Sequence, residues 1–357
     1  MNQWYDISNA DDLLSPALLF YPDRIDANID RMINIAGSAE RLRPHSKTYK
    51  CRDIIEMQIA KGIRKFKCAT LAEAQLLAES GAAEILLAYP LVGPTQDRLI
   101  ALINQYPHIE FAVLIDHPEH VAQWSKHEVS ISVFIDLDVG MHRTGIGIEA
   151  AAELFQRVQQ SDLSFQGWHT YDGHLRQSDV EERAKAAQAG MTGLDTLLEQ
   201  TQTQSAEIVC GGSITFPIHA RFPERHLSPG TTLLWDYGYS QFTDLPFEIA
   251  ACLFTRVISR PSQGLLCLDL GHKAVASETK GSPIYFPQIE DAKITTHSEE
   301  HMVIRTAQAE QWSIGDVLYG WPWHICPTVA LHQQAGIVTD HRLSSFWEIA
   351  ARHRIYQ

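Results

Sequence analysis

The sequence predicts an α/β chain: a (β/α)8 TIM-like barrel over residues 14–240, then an all-β domain over residues 241–357, joined by the N-terminal segment 1–13. Three observations predict it. Short apolar runs alternate with amphipathic helical stretches through the first two thirds of the chain. Roughly eight such units fall within roughly 220 residues, which is the size of a (β/α)8 barrel. Beyond about residue 240 the runs become short, β-rich and separated by Gly, Pro and Ser. A doubly wound open sheet is the architectural rival for the first part.

Taken in order, "ALLFY" (17–21) reads as a strand before a helix in which Ile25, Ile29, Met32 and Ile33 recur at helical spacing. "RLRPHSK" precedes a helix with Ile54, Ile55 and Ile59 on one face and Gly62 as its stop. "KFKCAT" precedes "LAEAQLLAESG", which ends at Gly81. "EILLAY" is followed by a helix after Pro94, "EFAVLID" by one after Pro118, and "ISVFIDLDVG" by one from Glu149. "FQGWHTYDG" with a long helix, "AEIVCGG" and "TLLWDYG" complete the series. The later runs "FEIAACLFTRVISR", "GLLCLDLGHKAVA", "HMVIRTAQ", "GDVLYGWPWHICPTVAL" and "QAGIVTDHRL" read as strands of the second domain. The closing "SSFWEIAARHRIYQ" fits either a strand or a helix.

Composition narrows the function. Twenty-nine Lys and Arg against 43 Asp and Glu leave a net charge of −14, which argues against nucleic acid as a general partner. It leaves room for a small anion in a locally basic pocket. No apolar run is long enough to span a bilayer, and the N-terminus has no leader-like apolar stretch. The six cysteines are scattered, which fits a reduced, cytoplasmic protein without a disulfide framework.

Barrels keep their chemistry in the loops after the strands. That rule selects Lys47, Thr70, Tyr89, Asp116, Arg143, Tyr171, the stretch 211–215 and Asp236. Lys47 is either a solvated charge or, at a strand mouth, a nucleophilic amine. In "CGGSITF" the glycines 211 and 212 let backbone approach an anion, while Ser213 and Thr215 add hydroxyl donors before a helix. Arg143, on a Gly-punctuated loop, is either an exposed arginine or a cation held against a ligand oxygen. In "WHIC", His324 and Cys326 would share one face of an extended strand, workable for two ligands of a borderline or soft metal such as zinc. A buried cysteine beside a core histidine is the alternative.

With these segments in hand, the chain resembles the fold-type III pyridoxal-phosphate enzymes. More closely, it is similar to the D-serine dehydratase and D-threonine aldolase family within the alanine-racemase-like group. "RPHSKTYK" resembles the family's Arg-Pro-His-x-Lys-Thr-His-Lys block, with Tyr49 replacing the usual histidine. "DVGMHRTGI", "WHTYDGH", "CGGSITF", "PGTTLLWDYGY" and "HICPTVAL" resemble its other blocks. The resemblance implies pyridoxal phosphate on Lys47 through a Schiff base, with His45 and Tyr171 as further catalytic residues. It implies Arg143, Tyr171, Gly211, Gly212, Ser213, Thr215 and Asp236 around the cofactor. A divalent metal would lie on His324 and Cys326, zinc first and manganese second. It further implies a homodimer.

The implied reaction is loss of the β-hydroxyl of a D-amino acid such as D-serine or D-3-hydroxyaspartate, giving a keto acid and ammonia. The alternative is D-threonine aldolase chemistry, giving glycine and an aldehyde; aldolase members tend to place an aspartate where Cys326 stands. A racemase would need a second base opposite Lys47, and no matching tyrosine is evident in the second domain. A non-catalytic pyridoxal-phosphate protein of this type would lack the β-domain.

Overall fold

The computed structural model describes residues 3–127, 129, 131–278 and 281–354. They form two compact units. One comprises Arg31–Lys47 and Ile55–Gly230; the other gathers Met1–Asp30, Thr48–Ile54 and Thr231–Arg352.

The first expected barrel strand belongs elsewhere. β1 (Ala17–Phe20) lies in the second unit, antiparallel to the stretch Ala251–Ser259 and parallel to Gln334–Thr339. A fully buried apolar run suits the centre of either kind of sheet, so periodicity alone could not place it.

The barrel sheet runs in chain order through β2 (Lys65–Cys68), β3 (Glu84–Leu87), β4 (Glu110–Ile115), β5 (Ser132–Leu137), β6 (Ser164–Thr170), β7 (Glu207–Cys210) and β8 (Arg225–Leu227), all parallel. Residues 42–45 close it as the eighth stave. The amides of Arg43 and His45 donate to the carbonyls of Leu227 and Pro229, both at 2.8 Å, and Lys67 N donates to Pro44 O at 2.9 Å. Pro44 has no N–H to give back to β2, so this stave is held by isolated bridges rather than a regular ladder. Sequence periodicity also missed β8, only three residues long and led by a charged one. "TLLWDYG", expected as a strand, instead opens with a 3-10 turn at Thr231–Leu233.

Inside the barrel, Leu86, Ala112, Leu114, Phe134 and Val209 pack as one buried cluster. Gly167 is required there, because a Cβ would press on the Glu207 carbonyl and the Phe134 ring. One pleat further along β5 and β6 the inward residues turn polar: Asp136 is paired in register with His169.

The second unit is a nine-stranded mixed sheet. Its remaining strands are β9 (Ala251–Ser259), β10 (Leu265–Leu268), β11 (Ile284–Tyr285), β12 (Lys293–His297), β13 (Met302–Arg305), β14 (Val317–Pro322), β15 (Gln334–Thr339) and β16 (Arg342–Glu348). The ambiguous C-terminal stretch is thus mainly strand β16, followed by a short turn at Ala350–Arg352. Its last residues, 355–357, lie outside the described residues. The N-terminal segment packs into this unit: Tyr5 joins Leu19, Tyr21, Phe254 and Tyr319 in a buried cluster, and Ile7 N donates to Tyr319 Oη at 3.0 Å. Among the described residues, no helix is long and apolar enough to cross a membrane.

Candidate active site

In the barrel unit three basic side chains converge on one aromatic ring. Lys47 Nζ lies 5.6 Å from the Tyr171 ring centroid, Arg143 Cζ 4.9 Å and Lys67 Nζ 5.8 Å. Lys47 sits on a 3-10 turn, Ser46–Thr48, directly after the closing stave, rather than at the end of a regular strand. His45, buried behind it, accepts from the Lys47 backbone N–H through Nδ1 at 3.3 Å. That contact shapes the turn. Tyr49, the departure from the family block, is fully buried.

The loop carrying Arg143 is held from both flanks. Asp116 accepts from Gly145 N at 2.7 Å, and Asp136 Oδ2 accepts from Thr144 Oγ1 at 2.9 Å. Burial raises the Asp116 pKa, but hydrogen bonds from His120 and Gly145 outweigh it and hold the carboxyl below its ordinary range. Two other loop candidates are not ligand-facing in this way. Thr70 caps the following helix by accepting from Glu73 N at 3.2 Å, and Tyr89 is largely exposed.

The glycine loop forms a cradle against Tyr171. Gly211 has φ +80°, and a Cβ there would meet the Phe216 backbone at 3.1 Å; at Gly212 it would meet the Tyr171 ring at 3.2 Å. Thr215 Oγ1 accepts from Gly212 N at 2.8 Å and donates to Asp172 Oδ1 at 2.6 Å. Its single hydrogen is therefore spent on Asp172, so Thr215 shapes the loop rather than donating to a ligand as expected from the sequence. Asp172 Oδ2 accepts from His219 Nε2 at 2.8 Å, and His219 Nδ1 accepts from Arg225 Nη1 at 2.9 Å.

A second carboxylate–imidazole–cation chain lies on the inward face of β5, β6 and β2. Asp136 Oδ1 accepts from His169 Nδ1 at 2.6 Å, and His169 Nε2 lies 3.3 Å from Lys67 Nζ. Lys67 also donates to Ser228 Oγ at 2.5 Å. Burial, and then the charge of Lys47, pull the Lys67 amine down to about 7. Burial and Lys67 likewise lower His169. None of Lys67, His169, Asp136, Asp172 and His219 was singled out from the sequence. The available signal was a polar residue on the inward face of a parallel strand, where branched apolar residues normally dominate.

In the second unit His324 is the N-cap of a helix, Ile325–Leu331, so the His-x-Cys pair is not on an extended strand as read from the sequence. The pair still interacts, because His324 has extended φ/ψ and Cys326 lies in the first helical turn. His324 Nδ1 pairs with Glu278 Oε1 at 2.5 Å, and Cys326 Sγ lies 3.2 and 3.3 Å from the hydroxyls of Thr48 and Thr231. Burial opposes charge on both groups, yet each charges the other: His324 rises to about 9 and Cys326 falls below the ordinary thiol value. Asp236, expected at the cofactor, accepts from Tyr239 N at 2.8 Å and from Ile325 N at 3.0 Å. It therefore braces the His-x-Cys turn.

The barrel residues fit pyridoxal phosphate: an amine, a guanidinium and an aromatic ring face a backbone cradle that side chains would fill. His324 and Cys326 fit a borderline metal with open positions. No group of three or more His, Cys, Asp or Glu able to hold a metal exists among the described residues.

Two family models match the sequence: "Alanine racemase, N-terminal domain" over residues 21–238 and "Putative serine dehydratase domain" over residues 250–338. The chain is 28% identical to D-threonine aldolase of Arthrobacter sp, over 95% of this chain and 92% of that one. It superposes on D-threonine aldolase from Filomicrobium marinum with a TM-score of 0.86 and 24% identity, covering 97% of this chain and 98% of that one. D-threo-3-hydroxyaspartate dehydratase from Delftia sp. HT23 gives 0.81 and 20% identity, over 96% and 98%. A D-threo-3-hydroxyaspartate dehydratase is also matched as a cysteine-to-alanine mutant in the metal-free form.

Proposed function

We propose, for a chain that belongs to the alanine racemase N-terminal domain family, that the reaction is dehydration of D-serine or D-3-hydroxyaspartate to a keto acid and ammonia. The chain is a pyridoxal-phosphate-dependent lyase of β-hydroxy D-amino acids; which amino acid and which bond are the parts proposed. The observation that carries dehydration is Cys326 itself, a thiol set in the first turn of the helix that His324 caps. That donor pair suits zinc, with manganese as the alternative. A cysteine mutant of a dehydratase solved metal-free is in keeping with it.

Lys47 would carry the cofactor, Arg143 and Tyr171 would contact it, and the 211–215 loop would hold its phosphate. Bound there, pyridoxal phosphate supplies an electron sink for bonds broken at the substrate Cα. Lys47 Nζ, on the Tyr171 side, is the base for the Cα proton. His45 fixes the turn that aims it. A metal on His324 and Cys326 would supply Lewis acidity for the departing hydroxyl. The same reading carries a homodimer, testable by light scattering, and a cytoplasmic home.

D-threonine aldolase is the second reading, favoured by the Arthrobacter relative. Product analysis on D-serine, D-threonine and D-3-hydroxyaspartate decides between them. Keto acid and ammonia, lost on chelation and restored by zinc, is the expected result. Glycine plus aldehyde as the main products would establish the aldolase. Borohydride reduction followed by peptide mapping should place the cofactor on Lys47; an adduct on Lys50 or Lys67 would displace that assignment.

A further inference from the structure

Lys67 stands outside the residues proposed to hold the cofactor, yet it is 2% exposed and its amine faces the same ring as Lys47 and Arg143. Its two hydrogen-bond partners, Ser228 Oγ and His169 Nε2, match the two N–H bonds of a neutral amine. The polar chain continues at both ends. Ser228 Oγ donates to Gly211 O at 2.9 Å, in the glycine loop. Beyond His169, Asp136 binds Thr144 at 2.9 Å, next to Arg143. Lys67 thus links the two loops that bound the pocket.

The charged and titratable groups facing this amine are Lys47 on its turn, Asp136 on β5, His169 on β6, Cys210 on β7 and Arg143 on its loop. Arg143 stays protonated. With Lys47 and Arg143 around the same half-buried ring and the Lys67 amine itself buried, a further charge on Lys67 is disfavoured until an anion arrives. We propose that Lys67 is the proton-exchanging group of this pocket, gaining a solvent proton when an anionic ligand enters beside Lys47 and Arg143 and releasing it when the ligand leaves. The ligand class is an organic phosphate or carboxylate, and the inference rests on reading this pocket as the cofactor site. Lys67 acts as a positioning residue: it matches pocket charge to ligand charge without touching the reacting atoms.

The test is calorimetric titration of the full chain, freed of cofactor, with pyridoxal phosphate in buffers of different ionisation enthalpy. Near pH 8 the wild type should take up about one proton more than Lys67→Met, because the amine starts neutral there. Near pH 6 that difference should shrink toward zero, since the amine is already charged before binding. Lys67→Arg, whose charge is fixed, should also lose the extra uptake, so either variant suffices if the other fails to fold. A purely structural Lys67 would leave the proton count unmoved in every folded variant. Equal counts near pH 8 with binding intact overturn the proposal alone. Absence of any binding, with no borohydride-fixed adduct, overturns the cofactor reading and this proposal with it.

Discussion

The barrel unit contains two buried chains of the same design that end differently. Asp136–His169–Lys67 and Asp172–His219–Arg225 each place an imidazole between a carboxylate and a basic side chain, with carboxylate contacts of 2.6 and 2.8 Å. Arginine cannot give up its proton inside a protein, whereas a buried lysine can. The first chain can therefore change charge. The second is a fixed brace, and through Thr215 it braces the glycine loop. What separates a proton device from a strut here is the terminal residue.

Breaking the brace should give the largest effect. Asp172→Ala leaves His219 buried without its carboxylate, and should cost about 4 kcal/mol of stability, on the scale of removing one partner from a buried ion pair. Urea unfolding measures this. A loss below about 1 kcal/mol would mean the arginine chain is not structural.

The lysine chain should instead show itself through pH. Lys67 has a folded pKa of about 7 against an ordinary value of 10.5. Between those values the unfolded chain binds more protons, so the wild type gains stability as pH rises through that window. Relative to Lys67→Met, the gain should amount to several kcal/mol across it. The penalty is fully present below pH 7, where the folded protein must hold a buried charge. An Arg225→Met comparison should show no such slope. A flat difference for Lys67→Met would erase the distinction between the two chains.

These chains also mark where the sequence stopped being legible. The βα alternation announced a barrel, and the convergence of Lys47, Arg143 and Tyr171 followed from segments that resemble a known family. The barrel's closure did not. Pro44 breaks the hydrogen-bond pattern of its stave, and β8 is too short to show a period. "ALLFY" is apolar enough for either sheet. Lys67, His169 and Asp136 sat in "KFKC", "WHT" and "FID", short strand segments that nothing local links, and only register shows that they meet. Glu278 lies 46 residues from His324 in sequence, so its 2.5 Å contact left no local signal.

The smallest effect is the most discriminating for the glycine loop. Thr215→Val keeps the side-chain shape but removes the oxygen that accepts from Gly212 N and donates to Asp172. Two hydrogen bonds are lost and Gly212 N is left buried, so the cofactor-free protein should lose about 1–2 kcal/mol of stability. Affinity for pyridoxal phosphate should fall with it, and Thr215→Ser should restore both. If Thr215 instead donated directly to the phosphate, Thr215→Val would weaken binding while leaving the cofactor-free protein's unfolding midpoint unchanged. Parallel loss of stability and affinity therefore identifies Thr215 as part of the fixed brace. Loss of affinity alone would make it a ligand contact and detach the glycine loop from the arginine chain.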